Sequence, residues 1–479
     1  MDETYLRKNG KKKITEPKIF PIPFALGEIK DQINITTNTH FKEQLINKAI
    51  QFHIKGNIKE ALRNYKYFID KGFKDPRVFS NYGVILKDLG NLKEAEISYR
   101  KAIEQNPNYA EAHSNLGSIL SDLGNLKEAE ISYLKAIELN PDLAKAYFSL
   151  STLQHFNESK LWKNQLFSRR ILNNKSQKDQ INIYFARANI CHKEKNYKDS
   201  AKYLKLANNL NIILNPSKAD TLINKAKILL IESNKKEINK QEDAQSPESI
   251  FIVGMPRSGS TLLESILSMN NDVDDLGEIK ILEESFLDNK EVGQVLTLAE
   301  RYWKKIKDLK KKANQTTNKN LYNYQYAGII SSQIPNAKII HCYRHPLDNI
   351  LSIYRTHFAG GHEYSSSLVD CARVYLNQDN IMTEYKNRFR SKIYDLNYDS
   401  LVRNPNQEIK DVISWLGWEW NEEYLSPHLN PRSVSTASHI QIRSPINSQS
   451  IGGWKNYKDI LKPAIKILTQ TDKYQDITS

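Results

Sequence analysis

From Ile250 to Met269 the sequence reads IFIVGMPRSGSTLLESILSM. Gly254, Arg257 and Gly259 are residue types suited to gripping an anion. The two glycines permit tight turns in which successive N–H groups face one point. Arg257 adds a planar fork of donors that matches phosphate oxygens. From Thr261 the pattern turns helical, and a helix that begins here aims its positive end at the same point. No lysine precedes Ser260 or Thr261, so the spacing departs from G-x-x-x-x-G-K-[ST] and disfavours a nucleotide triphosphatase built around magnesium. Taken alone, the stretch is an anion site after a strand or a structural Gly/Pro turn.

The other residues able to do chemistry lie further on. Glu278, in LGEIK, follows the loop by about 20 residues, and a carboxylate there can serve as a base or simply as a surface charge. Arg344 ends the apolar run Ala337 to Tyr343, and Ser352 follows it by eight residues. His341, His345, His357 and His362 show neither H-E-x-x-H nor a compact His/Asp set, so no metal site is expected. Cys191, Cys342 and Cys371 form no C-x-x-C pair, which supports neither a disulfide framework nor a thiolate zinc site.

Three strand-to-helix units must position these groups. Ile250 to Val253 reads as a buried strand before the helix Thr261 to Met269, and Ala337 to Tyr343 as a second strand before a helix from Leu347 to Tyr354. A third, Lys392 to Tyr398, precedes an amphipathic helix at Ile409 to Leu416. Such units predict an α/β layer with a parallel central sheet, whose ligands gather at the strand ends.

The first half follows a different rule. Gly56, Gly90 and Gly124 recur every 34 residues, as do Asn57, Asn91 and Asn125, and Ala61, Ala95 and Ala129; Pro107 and Pro141 keep the same interval. NYGVILKDLGNLKEAEISYRKAIEQNP from Asn81 is nearly restated from Asn115. This period fits two antiparallel helices per unit, with small residues for close approach and proline closing the second helix. A degenerate unit begins near residue 43, and a looser one spans Tyr184 to Asn209, with Ser200 at the small-residue position. Ala129 to Ser200 is 71 residues, two periods plus three, which leaves room for an irregular unit between them. Apolar residues from Leu222 to Leu230 predict a further helix. The expected division is an irregular segment 1–40, helical repeats 41–235, a polar link 236–247 and the α/β domain 248–479.

With 479 residues, 39% of them hydrophobic, the chain can bury two or three cores. Its formal charge of +14 suits nucleic acid or a polyanionic cofactor. The runs Lys11 to Lys13 and Lys304 to Lys312 read as solvated surface, and no zinc finger or RNP-type strand accompanies them, so no specific nucleic acid is expected. The first residues are not of signal-peptide type, and no run approaches 18 apolar residues. A cytoplasmic protein without a membrane segment is expected.

GMPRSGST, IIHCYRHPLDNILSIY and TASHIQIRSPINSQSIGGW together resemble the sulfotransferase superfamily, most closely bacterial proteins that join tetratricopeptide repeats to a domain similar to tyrosylprotein sulfotransferase. The resemblance covers about residues 43 to 463 with the repeats included. It implies 3'-phosphoadenylyl sulfate (PAPS) as donor, adenosine 3',5'-bisphosphate as product, and transfer of a sulfuryl group to a hydroxyl or amine. It places Pro256, Arg257, Ser258, Gly259, Ser260 and Thr261 at the 5'-phosphosulfate, with Arg257 also acting in catalysis. It places Arg344 and Ser352 at the 3'-phosphate and Tyr398 near adenine. By the same resemblance Glu278 is the general base, Lys319 the donor to the bridging oxygen, and Ser438 a contact of the transferring group. Lys280 resembles a substrate or positioning residue, and His439 merely adjoins Ser438. Two departures stand out. Lys319 lacks the proline that usually follows it, and no basic residue precedes Trp454, a place that Lys455 or Arg443 would fill. The acceptor is left open among protein, saccharide and small molecule, and the repeats imply a peptide or protein partner. A non-catalytic repeat scaffold with a vestigial cofactor domain, and a P-loop small-molecule kinase, are the alternatives.

Overall fold

The computed structural model describes residues 37–153, 160–234, 247–291, 296–309, 315–430, 432, 434, 436 and 438–478. Most of the expected N-terminal segment and of the link 236–247 lies outside these residues. The chain forms two compact units, Met1–Gln165 and Leu166–Ser479. Among the described residues no helix is long and apolar enough to cross a membrane.

The first unit is helical, with Thr37–Ile54, Ile58–Asp70, Pro76–Asp88, Leu92–Gln105, Ala110–Leu123, Leu126–Leu139 and Ala144–Thr152 in succession. The 34-residue period has a direct packing cause. Ala61, Ala95 and Ala129 are fully buried, and a Cβ on Gly117 would lie 2.7 Å from Cε1 of Tyr133, so the small residues let paired helices touch. Gly56, Gly90 and Gly124 take φ of 71°, 82° and 90°, the left-handed turn between the helices of each pair.

The second unit begins with the same device. Helices Gln177–Lys193 and Tyr197–Leu214 pack together, and Ser200 is buried with its Oγ donating to the carbonyl of Ala188 at 2.8 Å. Lys195 takes φ 60°, in the place 71 residues after Gly124 where the other repeats carry glycine. These helices and Ala219–Ser233 belong to the same compact unit as the sheet, so packing divides the chain earlier than composition does.

The sheet has five parallel strands: β1 (Glu248–Gly254), β2 (Val273–Asp275), β3 (Gln315–Asn318), β4 (Ala337–Tyr343) and β5 (Ile393–Asn397), in the order β2-β3-β1-β4-β5. Alternation along β1 splits the core in two. Phe251 and Val253 join Ile339, Ile393 and Tyr302 on one face, with Ala226 and Leu229 of the helix Ala219–Ser233. Ile250 and Ile252 join Ile340, Cys342 and Leu396 on the other, against the helices Ser260–Leu267 and Pro405–Leu416. Each Val, Leu, Ile or Phe among them contributes about 1.5–3 kcal/mol on full burial. Burial on both faces makes β1 and β4 near-continuous apolar runs.

Strands β2 and β3 were not foreseen, because neither is apolar. Thr316, Thr317 and Asn318 are nevertheless fully buried. Two of them have polar partners: Thr316 Oγ1 bonds Ser249 Oγ at 2.9 Å, and Asn323 donates to Asn318 at 3.1 Å. From β1 the chain crosses towards β2, and from β4 towards β5. The connections therefore diverge between neighbours β1 and β4, which opens a crevice at their C-terminal ends.

Candidate active site

The residues expected to do chemistry follow the C-terminal ends of all five strands: Arg257 after β1, Glu278 after β2, Lys319 after β3, Arg344 after β4 and Tyr398 after β5. Parallel strands direct their ends to one edge, so residues 141 positions apart in the chain share a site.

The loop after β1 is shaped by close approaches. Gly254 has φ 145°, and a Cβ there would lie 2.2 Å from the carbonyl oxygen of Cys342. Gly259 has φ 94°, and its Cβ would lie 2.3 Å from Cδ2 of Tyr398. Between them Arg257 takes φ 66°, a conformation that costs an L-residue about 1–2 kcal/mol. Asn349, from the helix after β4, holds the loop by donating to the carbonyl of Pro256 at 2.9 Å. Ser260 and Thr261 are buried in the first turn of the helix Ser260–Leu267.

That backbone delivers the Arg257 guanidinium to Ser352 Oγ at 3.1 Å, to Ser438 Oγ, and to Gln441 Oε1 at 2.6 Å. These three partners are uncharged. Burial, and next the charge of Arg344, bring the Arg257 guanidinium down to about 10. Arg344 is itself buried. It donates to the carbonyl of Ser450 at 2.8 Å, lies 4.7 Å over the ring of Tyr398, and has Asp399 at 4.0 Å. Arg344 Nε and Ser258 Oγ are buried without a hydrogen-bond partner among the described residues. One half-buried and one buried cation, with two unused polar atoms, around one helix start fit an anionic ligand. Tyr398 reaches Ser450 Oγ with its hydroxyl at 3.0 Å.

Lys319 and Glu278 form the other side. Lys319 is fully buried, and its Nζ donates to Glu278 Oε1 at 2.5 Å. Glu278 is exposed and Oε2 makes no hydrogen bond among the described residues. Beside it, His362 Nδ1 and the Tyr322 hydroxyl are 2.6 Å apart, and Phe358 packs on His362 at 4.5 Å. Burial lowers the His362 imidazole against the raising influence of Glu278.

Other expected residues take different positions. Arg443 donates to the carbonyls of Asn430 and Arg432 at 2.8 and 2.6 Å, which fastens the segment that carries Ser438. Lys455 and Lys280 are exposed. His439 Nδ1 is 2.7 Å from the carbonyl of Thr436. His341 belongs to a separate buried group behind the site, with Asp395 at 2.9 Å and Gln378 at 2.6 Å.

Residues 247–297 and 288–422 match the Sulfotransferase family, residues 83–124 the TPR repeat and 110–143 the Tetratricopeptide repeat. This chain joins tetratricopeptide repeats to a sulfotransferase-family domain. An uncharacterised protein of Aquifex aeolicus is 30% identical over 263 residues, 48% of this chain and 35% of that one. A putative protein-tyrosine sulfotransferase of Caenorhabditis briggsae is 25% identical over 230 residues, 43% of this chain and 80% of that one. The chain thus spans about a third of the length of the first relative. The sulfotransferase domain from the curacin biosynthetic pathway is 18% identical, covering 47% of this chain and 97% of that one at a TM-score of 0.36.

Around the site the structure adds residues that motif reading did not single out. Gln441 is a direct partner of Arg257. Asp348 accepts from the N–H groups of Gly452 and Trp454 at 2.7 and 2.9 Å, tying the GGW turn to the helix after β4. Arg355, three residues past Ser352, lies 5.7 Å from the Tyr457 ring centre, and its side chain makes no hydrogen bond or ion pair among the described residues. Its helical spacing from Ser352 was the available signal. Tyr457 in turn donates to Ser200 at 2.9 Å and meets His192 at 2.8 Å, so the helices Gln177–Lys193 and Tyr197–Leu214 brace this wall.

Proposed function

We propose that this protein transfers a sulfuryl group from PAPS to a hydroxyl or amine acceptor, in line, with Glu278 as general base. The observation that carries the proposal is the pairing, at one sheet edge, of a cationic pocket around Arg257 and Arg344 with the Lys319–Glu278 pair. When bound, PAPS supplies an activated sulfuryl group and leaves as adenosine 3',5'-bisphosphate. The loop from Pro256 to Thr261, with the helix start behind it, holds the 5'-phosphosulfate end, and Arg344 and Ser352 hold the 3'-phosphate. Arg257 and Ser438, already hydrogen-bonded, form fixed donors whose interaction strengthens as charge grows on the leaving oxygen. Lys319 adds a cation to that oxygen. It also fixes one oxygen of Glu278, which leaves Oε2 for the acceptor proton.

The wall of Tyr322, Phe358 and His362 beside Glu278 supports an acceptor with an aromatic hydroxyl, protein tyrosine among them, in agreement with the name of the Caenorhabditis relative. The repeats of the first unit provide a surface for a protein or peptide partner. The test is titration with adenosine 3',5'-bisphosphate followed by a labelled-sulfate screen of peptides, saccharides and small alcohols without ATP. Bisphosphate binding with sulfate transfer is expected. Binding without transfer to any acceptor leaves the scaffold reading, and transfer of phosphate from ATP leaves the kinase.

A further inference from the structure

Glu264 lies on the helix Ser260–Leu267 and is 1% exposed. Its Oε2 accepts from Arg432 at 2.7 Å and lies 3.9 Å from Nζ of Lys319. Its Oε1 is buried and has no hydrogen-bond donor among the described residues. Arg432 also donates to Asp275 at 2.7 Å. Lys319 therefore sits between two carboxylates: Glu278, which is exposed, and Glu264, which is sealed from water.

A buried ammonium needs a partner at every stage of a reaction. As a base, Glu278 takes the acceptor's proton, and the negative charge that held Lys319 at 2.5 Å disappears. Around Lys319 and Arg432 there remain Glu264 and Asp275, two anions for two cations. The idle Oε1 is an acceptor in want of a donor, and an ammonium released by Glu278 has donors to offer. Glu264 carries a second connection as well, because Arg432 lies in the segment that bears Ser438.

We propose that Glu264 is a positioning residue that supplies the standing counter-charge of Lys319 and takes over its ammonium when Glu278 is neutralised. This rests on the roles of Lys319 and Glu278 given above. The test uses the full chain with Glu264→Gln, Lys319→Met and the double variant. The first readout is acylation of the Lys319 amine by acetic anhydride in the protein without ligand, followed by mass spectrometry. Labelling is expected to rise several-fold in Glu264→Gln, since only the exposed Glu278 then holds the amine. The second is transfer. Glu264→Gln is expected to lower kcat about 10²-fold through a misplaced Lys319, and to have less than about a twofold effect in the Lys319→Met background.

Unchanged labelling in folded Glu264→Gln overturns the proposal. So does an equal loss of kcat in both backgrounds, which would make Glu264 a support for Arg432 alone. Should Glu264→Gln fail to fold, Glu264→Asp keeps the carboxylate's charge while shortening its reach towards Lys319, and unchanged labelling there is equally decisive. If the wild type transfers no sulfuryl group at all, the proposed function fails, while labelling still decides whether Glu264 holds Lys319.

Discussion

Replacing Gly259 with alanine tests the geometry of the donor side without requiring knowledge of the acceptor. The new Cβ would lie 2.3 Å from Cδ2, 3.1 Å from Cγ and 3.2 Å from Cε2 of Tyr398, distances that force the ring to move. That ring is held at its hydroxyl by Ser450 at 3.0 Å and covered on its face by Arg344 at 4.7 Å. Displacing it sacrifices a hydrogen bond, about 0.5–1.5 kcal/mol, and a cation–π contact, about 0.5–2 kcal/mol. Alanine at φ 94° adds about 1–2 kcal/mol of backbone strain. The combined effect is roughly 2–5 kcal/mol, divided between stability and the shape of the Arg344 pocket. Urea unfolding and calorimetric titration with adenosine 3',5'-bisphosphate measure the two parts. Gly360→Ala is the control: its Cβ meets nothing within 4 Å, and the change is expected to stay within about 0.5 kcal/mol. A Gly259→Ala protein with wild-type stability and wild-type affinity would refute the packing argument and, with it, the role of Tyr398 as a wall of the site.

Arg257→Ala and Arg344→Ala are each expected to weaken bisphosphate binding by about 1.5–3 kcal/mol, the worth of a hydrogen bond to a charged group; calorimetry on folded variants with unchanged affinity would remove both from the donor site. Glu278→Gln is expected to keep bisphosphate affinity and slow single-turnover sulfuryl transfer roughly 10²- to 10⁴-fold, and equal rates with chemistry limiting would eliminate it as the base. Asp395 offers a pH test away from the site. Burial raises its carboxyl, but hydrogen bonding and charge from His341 and Lys386 prevail and bring it from 3.8 to about 2. A depressed carboxyl stabilises the fold above its unfolded value, and that contribution is lost as pH falls through the folded one. Asp395→Asn is therefore expected to lower stability by roughly 2 kcal/mol at pH 7, with the difference constant to about pH 5 and shrinking towards pH 2. Urea midpoints across that range check it, and a difference independent of pH would place the stabilisation elsewhere.

The repeat array was legible in the amino-acid order because its contacts are local. Gly83 meets Tyr99 and Gly117 meets Tyr133, each on the helix that follows, so the packing rule is written at short range and restated after 34 residues. The loop after β1 was legible for a related reason: its glycines answer backbone conformations, which leave their mark on residue type. β2 and β3 escaped because a strand inside a sheet can be polar when its neighbours satisfy it, and Ser249, which meets Thr316, is 67 residues away in the chain. The same holds for the site. Residue types could nominate Arg257, Glu278, Lys319, Arg344, Ser352 and Ser438 through resemblance, but only the shared edge of five parallel strands brings them together. Which partners they take is likewise a tertiary matter. Arg443 is directed to carbonyls of its own segment, Gln441 to Arg257, and Glu264 to a place between Arg432 and Lys319. Charge pairing depends on distances of a few ångströms between side chains, and linear order carries no record of these until the fold closes.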